Sequence, residues 1–214
     1  MWTLAEARRF LEHVRGDRLY PLWRLLLTTG LRRGELCGLM WRDLEPEQGS
    51  LKVCRQRIVE DPTSQVREKP PKSHNGTRTL LLDPATLTTL STAKAHPKTP
   101  TGSRYMFTGR TGQPLRPDNV TSRFNRLAAR AGVRPIGPHQ VRHLLVSSLL
   151  DDEYGIHEVA ELSGMTPAPH ALLHAGQRRP APPGHSAHRR AHCVLIWAGG
   201  LARQVRRSHV WSSR

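Results

Sequence analysis

Four cationic side chains occur in contexts where they could act together on a phosphodiester. Arg32 stands in Thr29-Gly30-Leu31-Arg32-Arg33-Gly34-Glu35-Leu36, just after a glycine that can end a helix. Its guanidinium can therefore project from a rigid corner. Glu35 falls in the first turn of the next helix, where a carboxylate suits the dipole and can hold an arginine fork. Lys72 stands in Pro70-Pro71-Lys72-Ser73-His74-Asn75-Gly76-Thr77-Arg78-Thr79-Leu80, read as the turn of a β-hairpin. A lysine there reaches outward and can donate a proton if phosphates and arginines lower its pKa. His139 and Arg142 stand in Pro138-His139-Gln140-Val141-Arg142-His143, three apart at a helix start, and so share a face that suits an anionic oxygen. Each stretch alone also fits a plainer reading: surface arginines after a helix stop, a solvated loop lysine, or a polar histidine beside an exposed arginine.

Together the four describe a metal-free phosphodiester site, because no acidic pair accompanies them to hold a divalent ion. Arginine forks can grip the non-bridging oxygens of a five-coordinate phosphorus. The histidine can take a nucleophile's proton, and the lysine can give one to the leaving oxygen.

The elements that must position these groups are legible from periodicity. Thr3 with Glu6 reads as a capping box, and Leu4, Ala7, Leu11 and Val14 recur at helical spacing to about Arg15. A second helix runs from about Arg18 to Thr29 with Pro21 in its first turn and Gly30 as its stop. A third starts near Gly34. Leu51, Val53, Ile58 and Val59 lie in strand-like stretches, and Arg78–Leu82 makes another strand. Pro84–Thr92 reads as a helix. Asp118 can cap a helix through Arg130 that faces inward with Val120, Phe124, Leu127 and Ala131. His139–Leu150 is a helix, and Ile156–Leu162 starts one more. The expected class is mostly α with a small antiparallel β-sheet insert.

Composition narrows the partner. The chain has 214 residues, a formal charge of +16 and a pI of about 11.3. That imbalance disfavours an acidic-scaffold enzyme and points to a polyanion, most simply nucleic acid. No segment approaches the roughly 20 apolar residues of a spanning helix, so no membrane partner is expected. Cys37, Cys54 and Cys193 are odd in number and widely spaced, which fits neither a disulfide framework nor a zinc clip and suits a reducing cytoplasmic setting. The charge is uneven. Residues 1–161 hold all 17 acidic residues, whereas residues 162–214 hold no Asp, Glu or Lys but eight Arg, six His and five Pro. His185, His188 and His192 are spaced like a metal face, but they have no Cys or carboxylate partners to close a coordination shell.

The stretches T-G-L-R-R-G-E-L-x-G-L-x-W-x-D-L, P-K-S-x-x-x-x-R-T-L-x-L, Y-M-F-T-G-R-T-G-Q-P-L-R-P-D-N-V and H-Q-V-R-H, in that order, resemble the catalytic domain of the tyrosine recombinases, the phage integrase family. The resemblance runs from about Trp2 to Gly164. It implies that Arg32 and Arg142 bind the scissile phosphate, His139 assists the nucleophile, Lys72 is the general acid and Glu35 supports them. It further implies double-stranded DNA as partner, breakage and rejoining through a 3′-phosphotyrosine, no metal, ATP or other cofactor, and assembly as a homo-oligomer on DNA.

The sequence departs from the family after Gly164. Met165 stands where the family has His, and the tyrosines are Tyr20, Tyr105 and Tyr154, none of them after Gly164. The family's separate N-terminal core-binding domain is not expected within this chain, which opens at the catalytic domain's first helix. The expected division is thus 1–164, an incomplete recombinase-like domain, and 165–214, an Arg/His/Pro-rich tail. We read the tail, as a hypothesis, as the product of a reading-frame change near codon 165. Translating the other frames of the gene tests this; if none yields Leu-Gly-His followed by Tyr, a genuine basic tail replaces it. The expected consequence is a chain without recombinase activity.

Overall fold

The computed structural model describes residues 2–60, 65–70, 77–96 and 102–151, with side chains through residue 145. Three helices open the chain: α1 (Leu4–His13), α2 (Tyr20–Thr29) and α3 (Arg33–Gly38). Five short strands follow, β1 (Leu44–Glu45), β2 (Ser50–Val53), β3 (Gln56–Glu60), β4 (Gln65–Lys69) and β5 (Arg78–Leu81), and then α4 (Pro84–Ala95), α5 (Pro117–Arg130) and α6 (Pro138–Asp151).

The helices expected between residues 3 and 150 are present. Thr3 and Glu6 make the reciprocal capping box of α1. Helix α2 is buried from Leu22 to Thr29, polar residues included, which makes it the central helix of the domain. It packs against α1, α4 and α6. Around it Trp2, Phe10, Trp23 and Phe124 form an aromatic cluster with ring centroids as close as 5.0 Å. Each such fully buried ring or leucine stabilises the fold by about 1.5–3 kcal/mol. Arg24 is buried in the same helix and pairs with Asp83 at 3.0 Å. Asp83 also caps α4 by accepting from the Ala85 and Thr86 amides, so one carboxylate ties α4 to α2.

The start of α5 differs from the sequence expectation. Arg116, not Asp118, is its N-cap; Pro117 occupies the first helical position, which its fixed φ suits, and Asp118 lies in the first turn facing Arg33 at 3.3 Å.

The strands form two sheets rather than one. Strands β1, β2 and β5 make an antiparallel sheet in that order, with Leu51 opposite Leu80. Strands β3 and β4 make a separate antiparallel ribbon. The two residues between β2 and β3, Cys54 and Arg55, carry the chain from one sheet to the other. This corrects the hairpin assignment for Lys72. Residues 71–76 join β4 to β5, which pair with different partners, so the segment links two sheets instead of turning between paired strands. Lys72 itself lies outside the described residues. So do Tyr154, the helix expected at Ile156–Leu162, Met165, the histidines 185, 188 and 192, and the whole 165–214 tail.

Candidate phosphate-binding site

The site is built where α2 ends. Gly30 takes the left-handed conformation (φ 61°) and its amide bonds back to the Leu26 carbonyl. That conformation strains any residue with a Cβ, and a Cβ at Gly30 would also stand 3.0 Å from Leu145 Cδ2. The chain then turns through Leu31 to Arg32, the extended N-cap of α3. Helix α3 sits directly on β3: a Cβ at Gly34 would lie 2.6 Å from the Arg57 carbonyl oxygen. Glycine thus permits the close approach that sets Arg32 beside the ribbon.

Glu35, 1% exposed, organises the arginines. Its Oε2 accepts from the Arg32 amide at 2.9 Å and from Arg78 Nη2 at 3.0 Å, and its Oε1 accepts from Arg32 Nη1 at 3.0 Å and from Arg78 Nη1 at 3.2 Å. Burial on its own would raise its pKa, but the hydrogen bonds and charges of Arg78 and Arg32 together outweigh burial and hold the carboxyl below its ordinary 4.5. It is an ion at neutral pH.

Arg142 enters the same corner from α6. It is 2% exposed, and its Nη1 donates to the Gly30 carbonyl at 3.0 Å. The plainer reading of an exposed arginine is therefore wrong: the first turns of α6 turn Arg142 inward while His139 stays exposed. Burial first, and then repulsion from Arg32, pulls its pKa down to about 10, so it still carries its charge at neutral pH. His139 is held below its ordinary 6.5, mainly by partial burial and then by His143, Arg142 and Arg32. The His143 ring stands edge-on to it at 5.1 Å. A neutral imidazole facing two guanidinium groups can accept a proton.

Two guanidinium groups thus grip one carboxylate and a third, that of Arg142, is anchored beside them on Gly30, which leaves net positive charge in a partly desolvated corner. An open groove of about 740 Å³ runs away from it, lined by Arg32, Arg33, Arg57, Thr121 and His139. Arg33 pairs with Asp118 and donates to Thr121 at 2.9 Å, and Arg57 bonds the Leu115 carbonyl, so the groove's walls are fixed by their own contacts. Such an arrangement suits an oxyanion with two or more exposed oxygens.

The structure brings together Arg32, His139 and Arg142, three of the four residues singled out in sequence, with Glu35 as their organiser. Arg78, which follows Lys72 in the same stretch of sequence, belongs to the site as well, through its two bonds to Glu35. The available signal is weak: an arginine at the start of a short strand that ends in two leucines. Among the described residues no group of three His, Cys, Asp or Glu side chains is placed to hold a metal ion, and no helix is long and apolar enough to cross a membrane.

Residues 3–168 match the family model described as the phage integrase family. Among curated proteins, a tyrosine recombinase XerC-like protein of Caldanaerobacter subterraneus is 28% identical over 179 residues, covering 74% of this chain and 45% of that protein. The tyrosine recombinase XerC of Xanthomonas campestris is 30% identical over 156 residues, covering 70% of this chain and 41% of that protein. The chain therefore spans less than half the length of these relatives. Among solved structures, the Tn1549 transposon integrase in complex with a circular intermediate DNA has a TM-score of 0.70 at 21% identity, covering 88% of this chain and 63% of that one. XerA recombinase has a TM-score of 0.62 at 21% identity, covering 85% and 65%. At that identity the likeness bears on the fold.

Proposed function

Because this chain belongs to the phage integrase family, we propose that its described domain binds double-stranded DNA and holds one backbone phosphate at the corner formed by Arg32 and Arg142. The observation that carries this reading is the convergence of those two guanidinium groups, 110 positions apart in sequence, on Gly30 and Glu35. Arg32 reaches the phosphate from the half-exposed rim and Arg142 supplies charge from beneath. Neutral His139 takes the proton of an attacking hydroxyl. Lys72, on the segment linking the two sheets, protonates the leaving 5′-oxygen. With a tyrosine hydroxyl supplied to this site, the reaction class would be site-specific breakage and rejoining of DNA, with no metal or other cofactor, in the cytoplasm.

The attacking phenolic hydroxyl expected after Gly164 is missing from this sequence, since residues 165–214 contain no tyrosine. We therefore assign the chain DNA binding without strand cleavage. Two measurements test the assignment. Filter binding to a duplex over a salt series should show affinity falling steeply with salt, as counterion release requires; a flat series refutes the phosphate contacts. A nicked suicide duplex should trap no covalent adduct. An adduct that Arg142→Ala abolishes would refute the inactive assignment while supporting the phosphate site.

A further inference from the structure

A second groove lies at the far end of α2 from Gly30. The turn before α2, the start of α2, the second half of α4 and the loop at 106–110 enclose an open volume of about 860 Å³. Helix α2 has ten residues, so its two ends stand about 15 Å apart. The floor of the groove is apolar and aromatic, formed by Leu19, Tyr20, Pro21, Trp41 and Phe107. Its rim is cationic, formed by Arg15, Arg18 and Arg110.

The rim's charge is not neutralised from within. Asp17 is the one carboxylate of the lining, and its oxygens are committed: Oδ1 accepts from the Leu19 amide and from Trp23 Nε1, and Oδ2 from Arg123. Arg15, Arg18 and Arg110 pair with no carboxylate among the described residues. Arg18 donates to the Thr108 carbonyl at 2.7 Å, which fixes it at the rim. Its guanidinium is held below its ordinary pKa by burial first and then by the facing charge of Arg123, with Arg110 adding to them, and Asp17 offsets only part of this. Lys94, 5.8 Å from the Trp41 ring centroid, adds another positive charge nearby. Uncompensated cations around a half-buried aromatic floor call for a partner that is anionic and carries bulky apolar groups.

We propose that this groove docks an extended acidic peptide segment of another protein. A large apolar side chain enters over Tyr20 and Trp41, and flanking carboxylates meet Arg15, Arg18 and Arg110. Other occupants fit less well. The chain's own residues 162–214 carry eight Arg and no Asp or Glu, so the rim repels them. A phosphate would find guanidinium groups but no amide nest. The Leu19 and Tyr20 amides are already taken by Asp17, and Pro21 has none. The groove also shares no residue with the Arg32 corner, so the inference stands apart from the phosphate-site reading.

The test is fluorescence anisotropy with the full 214-residue chain. The probe is a labelled octapeptide of Asp and Glu flanking a central Trp-Leu pair. Three comparison probes replace the Trp-Leu pair by Ser, replace the acids by Lys, or substitute a labelled octathymidylate. The expected result is saturable binding of the acidic apolar peptide, weakened by salt and tighter than that of either altered peptide, while octathymidylate binding, which belongs to the phosphate site, is left unchanged by the groove variant. Arg15→Glu with Arg110→Glu, both exposed, should weaken peptide binding roughly 30-fold, while Arg126→Glu with Arg130→Glu, an equal charge change on exposed α5 surface, should alter it less than about 2-fold. The proposal is overturned if the acidic peptide binds no more tightly than the altered peptides, if the Arg15→Glu with Arg110→Glu variant binds it like the wild type, or if that variant weakens octathymidylate as much as the peptide.

Discussion

Replacing Glu35 by Gln removes one negative charge and one acceptor oxygen with almost no change of shape. Each carboxylate oxygen of Glu35 serves two donors, one from Arg32 and one from Arg78. Whichever way the amide is seated, its NH2 group replaces one oxygen and faces two donors with another donor. Two hydrogen bonds to a buried ion are lost, at about 1.5 kcal/mol each, or about 3 kcal/mol in total. That agrees with the ~3–5 kcal/mol cost of leaving a buried ion without its partner, since the Arg78 side chain is 8% exposed and Arg32 alone can turn to water. For a domain of this size the melting temperature should fall by about 6–12 °C. Urea unfolding followed by tryptophan emission measures the same loss as a shift in midpoint at unchanged slope. Asp118→Asn is the contrast: its pair with Arg33 is half-exposed on both sides and screened, so it should cost no more than about 0.5 kcal/mol. The pH dependence gives a second check. The folded-state pKa of Glu35 is depressed below 4.5, so its contribution is fully present above that pH and is lost as the pH falls further. The gap between wild type and Glu35→Gln should therefore be constant above about pH 4.5 and narrow below it. A loss under about 1 kcal/mol at neutral pH, or a gap that widens on acidification, would refute the role given to Glu35.

Gly34→Ala places a methyl group against the Arg57 carbonyl, where neither backbone can yield cheaply; it should destabilise by about 2 kcal/mol or more, read by the same unfolding curves. His139 should titrate below 6.5 by NMR, and a bound duplex should raise that midpoint; a free-protein midpoint at or above 6.5 contradicts the cationic setting. Because the fold favours neutral His139, its protonation should cost stability as the pH falls below 6.5, and His139→Ala should remove that slope. Arg142→Lys keeps the charge but cannot reproduce a fork anchored on the Gly30 carbonyl. Duplex affinity should fall roughly 10-fold with an unchanged salt slope, and full retention of affinity would show that a point charge suffices.

Much of this protein was legible without coordinates because the information was local. The capping box at Thr3, the stop at Gly30, the helical stripe of α5 and the strand alternation around Leu51 and Leu80 are all fixed by a few neighbouring residues. The family motifs likewise singled out Arg32, His139 and Arg142. Pairing between distant segments left no such local trace. Nothing near Lys72 in sequence indicated that the strands on its two sides belong to different sheets, because that depends on which partner each strand finds. Nothing near Arg142 distinguished a solvated arginine from one buried against a carbonyl 112 residues away. Arg78 and Glu35 meet across 43 residues, and only packing of α3 onto β3 and β5 beside β2 sets their distance. Side-chain chemistry and short-range periodicity named the groups and the elements. Burial and long-range pairing, which follow from how the elements close around α2, decided which charges face water and which face one another.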